Sequence, residues 1–408
     1  MRLLHTSDWH LGQKFMGQSR EAEHSAALEW LLQTIEQEQI ETLVVAGDIF
    51  DVNNPPIGAE TLYYRFLARL IRTQCRHVVI IGGNHDAPGK LEAPKKILHA
   101  LGIHVVGCAS DDLTDEIITL SDPEGKPELI VAAVPFLRDK DFKISLSGES
   151  MEARIARIKA GIYQHYHDIA LQTALLTEQF PGTPVLATGH LYAKGASAGE
   201  GQDNIYIGNL ENIAASEFPA SFDYVALGHI HRPQKIGKQQ HIRYCGSLIP
   251  LSFSEIADQK IVLICDFAPG KGLQKVHEIP VPVFRKLKKV EGTLLEVEAK
   301  LLDLNEPDAA FPAWVEVVVE GDQTIAGVDR HLQDFVKNMN LELLSIKRLY
   351  KRQALDEVVE TDNLDTLTTE EVFQKRCETQ GLNAEETTKM LQTFGELREW
   401  MDNHPELF

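Results

Sequence analysis

Five short clusters gather side chains able to hold a metal ion or move a proton: Asp8-Trp-His10, Gly47-Asp48-Ile-Phe-Asp51, Gly83-Asn84-His85-Asp86, Gly189-His190 and Gly228-His229-Ile-His231. Their donors are carboxylate and amide oxygens and imidazole nitrogens, with no thiolate. Such a set suits Mn²⁺, Fe or Zn²⁺, and Ca²⁺ less well. Two divalent cations about 3.5–4 Å apart repel one another, so a paired site needs a carboxylate between them, and Asp48 is the obvious candidate. Asn84 adds an oxygen ligand without adding negative charge, which leaves the cluster cationic enough to accept a phosphate. His229 and His231 are two residues apart, so on a continuing strand both point to one face. A lone histidine is more often a core or surface residue than a ligand, and any one cluster alone is weak. Five in this order, each closing an apolar run, form a pattern.

The elements that must position these residues read as alternating strands and helices. Residues 2–7 form an apolar run, and a helix follows over 20–39 with Leu28, Leu31, Leu32 and Ile35 on one face. A run at 42–46, a helix at 58–73 and a run at 77–81 continue the order. Further β runs fall at 129–134, 185–188, 224–227, 243–245 and 261–265, interrupted by a long polar helix over 149–176. This is an α/β pattern in which helices cover a sheet. The glycines ahead of Asp48, Asn84, His190 and His229 are expected to let the backbone turn at the strand ends and let a substrate approach.

The character changes at Ile279-Pro-Val-Pro282, where the first domain boundary is placed. Residues 283–351 then read as a small α+β domain, with helices at 294–304 and 325–338 between strands ending at 349. Residues 352–408 carry 14 acidic and five basic side chains and two helical stretches, 369–379 and 384–401. Thr368-Thr-Glu-Glu371 has the form of a capping box, and Leu391, Phe394, Leu397 and Trp400 share one helical face.

The 408 residues suffice for two or three domains and a full core. With 43% hydrophobic and 25% charged residues the chain is of ordinary globular composition. A net charge of −20 repels nucleic acid and anionic membranes at long range. A phosphate-rich substrate must therefore be drawn in locally, by bound cations or by basic side chains. Arg285, Lys286, Lys288 and Lys289, with Lys347 and Arg348, followed by Lys351 and Arg352, are the candidates. The plainer reading of those lysines is protection of exposed strand edges. Cys75, Cys108, Cys245, Cys265 and Cys377 are dispersed and form no CxxC, which fits a reducing compartment without a disulfide frame. The amino terminus lacks an apolar signal segment and no run is long enough to span a membrane, so a cytoplasmic location is expected.

Taken together, D-x-H, GD-x-x-D, GNHD, GH and GH-x-H resemble the motifs of the calcineurin-like metallophosphoesterases. More narrowly, LHTSDWHLG, VAGDIFD, YIGNL, FDYVALGHIHRPQ and RYCGSLIPLSF resemble the SbcD family, the nuclease subunits of bacterial SbcCD-type complexes acting in DNA repair, replication and recombination. The resemblance implies a two-sheet β-sandwich flanked by helices, a small α+β DNA-capping domain and a C-terminal helical tail. It implies two divalent metal ions, both Mn²⁺ with Mg²⁺ as the alternative, one held by Asp8, His10, Asp48 and His231 and the other by Asp48, Asn84, His190 and His229. His85 would face the scissile phosphate, with Asp86 orienting its imidazole. Asp51 stands where some relatives carry histidine. The implied activities are ATP-dependent double-strand exonuclease and single-strand and hairpin endonuclease. The implied partners are DNA ends and hairpins, a second copy of the chain and an SMC-like ATPase of the SbcC type. That ATPase would dock on the C-terminal helices within a heterotetramer associated with the bacterial nucleoid. This chain has no GxxxxGK[ST], so ATP would be bound by that other protein. Two alternatives stand beside this reading: a phosphomonoesterase of the same superfamily, and a non-catalytic scaffold that binds DNA ends.

Overall fold

The computed structural model describes residues 1–141, 150–197, 213–320, 325–349, 373–374, 377 and 384–403. Its strands are β1 (Arg2–Thr6), β2 (Lys14–Phe15), β3 (Gln18–Ser19), β4 (Thr42–Ala46), β5 (His77–Ile81), β6 (Ile103–Val106), β7 (Ile117–Ser121), β8 (Pro127–Ala132) and β9 (Val185–His190). They continue as β10 (Tyr224–Gly228), β11 (Gln234–Lys235), β12 (Ile242–Tyr244), β13 (Ile261–Ala268), β14 (Gly272–Pro280), β15 (Leu287–Thr293), β16 (Ala313–Glu320) and β17 (Leu341–Leu349). The helices are α1 (Glu21–Gln37), α2 (Ile57–Leu70), α3 (Pro88–Glu92), α4 (Lys95–His99), α5 (Met151–Gln179), α6 (Leu294–Leu304), α7 (Ile325–Val336) and α8 (Ala384–Asn403).

Two six-stranded sheets lie face to face, in the orders β14-β13-β1-β4-β5-β6 and β11-β12-β10-β9-β8-β7. Each has a parallel centre, β1, β4, β5 and β6 in the first and β12, β10, β9 and β8 in the second, with antiparallel strands outside. Residues along these strands alternate between two cores. In β4, Val44 and Ala46 pack between the sheets with Leu3, Leu186 and Ala226, while Leu43 and Val45 pack outward with Leu28, Leu31 and Ile35 of α1. The outer face of the second sheet buries Ile158, Ile162, Tyr166 and Ile169 of α5. Strands buried on both faces read as unbroken apolar runs, which is why 42–46 and 77–81 were visible in the sequence. The result is a two-sheet sandwich clad by helices on both sides.

The β15-β16-β17 sheet covers one core with α6 and α7, including Val297, Leu301, Val315, Val317 and Leu332. Thr293 and Glu296 close a capping box at the start of α6. The opposite face carries Leu287, Trp314 and Leu344 onto Phe15 of the β2–β3 hairpin and onto Phe253 and Ile256. The chain forms two compact units, Met1–Val319 with Ile325–Lys347, and Glu320–Thr324 with Arg348–Phe408. Within the second, Phe373 and Phe394 stack with centroids 4.1 Å apart. The expected helix over 369–379, positions 351 and 352 and the Trp400 side chain lie outside the described residues, apart from 373, 374 and 377. Among the described residues the cysteines are free, and no helix is long and apolar enough to cross a membrane.

Candidate metal centre

The carboxyl ends of the parallel strands of both sheets meet at one edge of the sandwich, where loops rather than ladder bonds set the backbone. The loop after β1 carries Asp8 and His10, that after β4 Asp48 and Asp51, and that after β5 Asn84, His85 and Asp86. The second sheet supplies His190 as the last residue of β9, and His229 and His231 just after β10. Ligand atoms of Asp8, His10 and His231 come within 4.8 Å of one another, as do those of Asp48, His190 and His229. Asp48 Oδ2 lies 3.5 Å from His10 Nε2 and 3.2 Å from His190 Nε2, which puts it between the two groups. Asn84 Oδ1 is 3.0 Å from His190 Nε2. His85 is exposed at the rim, with its ring centroid 4.8 Å from that of His10.

The backbone is strained at four of these positions. Asp8, His10, Asp48 and His229 have φ of +51°, +46°, +50° and +99°, a left-handed region costly for residues with a Cβ. The loops hold one another there: His229 N donates to Asp8 Oδ1 (2.9 Å), His85 N to Asp48 Oδ1 (2.9 Å) and His10 N to the Asp48 carbonyl (3.1 Å).

His10, His231, His190 and His85 are each bonded through Nδ1 to an acceptor. His10 donates to Asp51 Oδ1 (3.1 Å), His231 to Glu255 Oε1 (3.3 Å), His190 to the Ala46 carbonyl (2.9 Å) and His85 to the Asp51 carbonyl (2.6 Å). An acceptor at Nδ1 fixes the proton there and leaves the Nε2 lone pair for the centre, as metal-binding histidines require. His10 Nε2 is buried and makes no hydrogen bond. The local field also favours a cation. Burial lowers the His190 pKa, but the Asp48 charge, its hydrogen bond and Asp8 outweigh it and push the group up to about 9. Burial likewise opposes His10, and the Asp51 hydrogen bond with the Asp48 and Asp8 charges still raise it. Burial alone would raise Asp48, yet the charge and hydrogen bond of His190, with His10, hold it well below the usual carboxylate range. His229 is pushed the other way, far below its ordinary value, by burial and by the His190 charge. The residues present fit divalent cations: orphaned or lone-pair nitrogens face carboxylates that hold positive charge.

Three expectations need correction, on Asp86, on the glycines and on Arg285. Asp86 does not orient His85. It is fully buried and accepts from three backbone N–H groups, Gly83 (2.9 Å), Phe50 (3.0 Å) and Ile49 (3.1 Å), so it stitches two loops together. Burial and the Asp48 charge raise its pKa to about 6, against those three donors. The His85 partner is instead Asp51, which also serves His10. That double role was not read from the sequence, because a backbone carbonyl leaves no signal there. The glycines, too, do not open the site to substrate. A Cβ on Gly83 would meet Asp48 Oδ1 at 2.1 Å, and one on Gly228 would meet the Ala46 carbonyl at 1.9 Å, so they admit the facing loop.

The basic positions are also largely engaged. Arg285 precedes β15, its side chain is only 9% exposed, and it pairs with Glu23 (2.9 Å) while lying 4.1 Å from the Trp314 ring centroid. It is held inside the protein and is not open to DNA, because the ion pair and ring contact already satisfy it. Lys286 pairs with Glu306, Lys347 with Glu316 (2.5 Å), and Arg348 is half-buried. Lys288 and Lys289 are exposed. Trp9 and Phe50 belong to the core, and Tyr192 donates to the Ala196 carbonyl.

The comparisons with known proteins agree with this architecture. A calcineurin-like phosphoesterase family model matches residues 1–233, and one described as the type 5 capsule protein repressor C-terminal domain matches residues 283–381. The SbcD component of the SbcCD nuclease of Escherichia coli (strain K12) is 37% identical over 401 residues, 97% of each chain. That of Rhodobacter capsulatus is 33% identical over 385 residues, 91% of this chain and 93% of its own. That of Bacillus subtilis (strain 168) is 37% identical over 275 residues, 66% of this chain and 67% of its own. The chain is therefore a calcineurin-like phosphoesterase that uses divalent metal, and it belongs to the SbcD family of nuclease subunits.

Proposed function

We propose that this protein is the nuclease subunit of an SbcCD-type complex and hydrolyses DNA phosphodiesters at two divalent ions. The observation that carries the reading is Asp48 lying between Asp8–His10–His231 on one side and His190–His229 on the other, with His85 exposed above them. Asp8, His10, Asp48 and His231 would hold one ion, and Asp48, Asn84, His190 and His229 the other. When bound, such a pair supplies a nucleophile from water near neutral pH and positive charge for the phosphoryl oxygens. The four imidazoles in the set favour Mn²⁺ over Mg²⁺, which prefers oxygen ligands.

The protein's own groups then position and protonate. His85 donates Nδ1–H to the Asp51 carbonyl, so Nε2 is the ring nitrogen that can meet the substrate. A proton held at Nε2 stabilises charge on a phosphoryl oxygen or passes to the departing sugar oxygen. The Asp51 carboxylate keeps His10 in the correct tautomer, and Asp86 keeps the two loops in register.

The substrates are DNA ends and hairpins, cut as an ATP-dependent double-strand exonuclease and a single-strand endonuclease. In this reading residues 1–282 form the nuclease domain, 283–351 cap DNA, and 352–408 dock an SMC-like ATPase of the SbcC type. Exposed Met390 and Leu397 on α8 support the docking role. Exposed Ile57 and Tyr64 on α2 and Ile71 just after it recur every seven residues and support pairing with a second copy.

The test is Mn²⁺-dependent cleavage of labelled single-stranded and hairpin DNA by the wild type and by His85→Ala, with metal content measured. The expected result is a fall of at least about 10²-fold in the variant with metal retained. Equal cutting by both proteins would remove His85 from the chemistry. No cutting by the wild type, even with its ATPase partner, together with turnover of a nitrophenyl monoester, would make it a phosphomonoesterase.

A further inference from the structure

Behind His231 the contact with Glu255 continues into a buried chain of charge. Glu255 is 2% exposed and sits in a one-turn 3₁₀ helix (Phe253–Glu255) after β12. Its Oε1 accepts from His231 Nδ1 at 3.3 Å, and its Oε2 accepts from Leu251 N at 3.1 Å and from Lys260 Nζ at 2.6 Å. Lys260, 4% exposed, turns the same ammonium onto the His231 carbonyl at 2.8 Å. Both the ring and the backbone of His231 are thus gripped by one ion pair. A buried ion pair is weak evidence for stability, since two charges taken out of water recover little more than their desolvation cost. Its geometry must therefore be read for what it orients.

The outer partners of His10, His231 and His190 differ in kind. Asp48 aside, the group around Asp8 has both its imidazoles backed by carboxylates, His10 by Asp51 and His231 by Glu255. In the other group His190 is backed by a carbonyl. A carboxylate at Nδ1 fixes the tautomer and makes Nε2 a stronger electron donor. We propose that Glu255, clamped by Lys260, is a positioning residue that presents His231 Nε2 to the ion held by Asp8 and His10. This rests on the two-ion reading above. Lys260 also lines a crevice of about 320 Å³ together with Glu23, Asp258, Phe284, Arg285 and Lys288. The outer end of the chain therefore lies where the small α+β domain meets the sandwich.

Removing Glu255 alone would leave the Lys260 charge buried without a counter-ion, so a single variant confounds stability with positioning. The test therefore compares the full-length wild type with Glu255→Gln and with Glu255→Gln/Lys260→Met, which removes both charges. Mn²⁺ binding is titrated calorimetrically without DNA, and the metal-free proteins are melted in parallel. Wild type should bind two equivalents. Glu255→Gln should weaken one of them about 10- to 100-fold and leave the other unchanged. The double variant should regain metal-free thermal stability while the same equivalent stays weak. Wild-type affinity for both ions in the double variant would reduce Glu255 to a structural residue and overturn the proposal. A wild type that binds fewer than two equivalents would overturn the two-ion reading and this proposal with it.

Discussion

Asp86 illustrates how residue type and residue role come apart. A carboxylate beside a histidine in GNHD suggests an orienting pair, yet this one is turned inward to three backbone donors. Asp86→Asn presents one acceptor oxygen and an NH₂ to those three N–H groups. It should cost about 2–3 kcal/mol, because buried donors are left unmatched. Denaturant unfolding should show that loss, while the residual cleavage keeps the wild-type pH profile. Lost activity at unchanged stability would return Asp86 to the chemistry of His85. The types and order of the chemical residues were legible in the sequence, since each closes an apolar run. Their outer partners were not, because Asp51 and Glu255 bond to histidines 41 and 24 residues away through a fold the pattern does not encode.

Strands buried on both faces announced themselves, and β4 and β5 fall where the apolar runs predicted. β14 escaped notice because its residues are only partly buried or exposed along its length and carry polar side chains. The two-residue strands β2, β3 and β11 have too few residues for any period to show. What the elements share at their tips is closeness: β10 ends on Gly228, whose missing Cβ leaves room for the Ala46 carbonyl of the other sheet. Gly228→Ala should push the sheet ends apart. We expect a stability loss of about 2 kcal/mol or more from overpacking, with weakened Mn²⁺ binding because His229 moves with it. A variant with unchanged unfolding midpoint and full metal binding would show that the sheets yield at no cost.

At the scale of the molecule, the small α+β domain is fastened to the sandwich through charge and rings. Glu23, almost fully buried, pairs with Arg20 (2.5 Å) and Arg285 (2.9 Å). The two guanidiniums lie 5.8 Å and 4.1 Å from the centroid of the Trp314 ring, which stacks on Phe15. Glu23→Gln leaves two buried cations without a counter-charge and should cost about 3–5 kcal/mol. Calorimetry should then resolve an early transition for the small domain ahead of the sandwich. A single transition at the wild-type temperature would mean that the rings alone hold the two together. The bond from His229 N to Asp8 Oδ1 carries a further consequence, since it joins residues 221 positions apart. Contacts of such high contact order form late in folding, after most loop-closure entropy has been spent. During synthesis Asp8 and His10 leave the ribosome long before His229 and His231 exist. A nascent or truncated chain therefore carries half a centre and no nuclease, and cutting power arrives only with the completed sandwich.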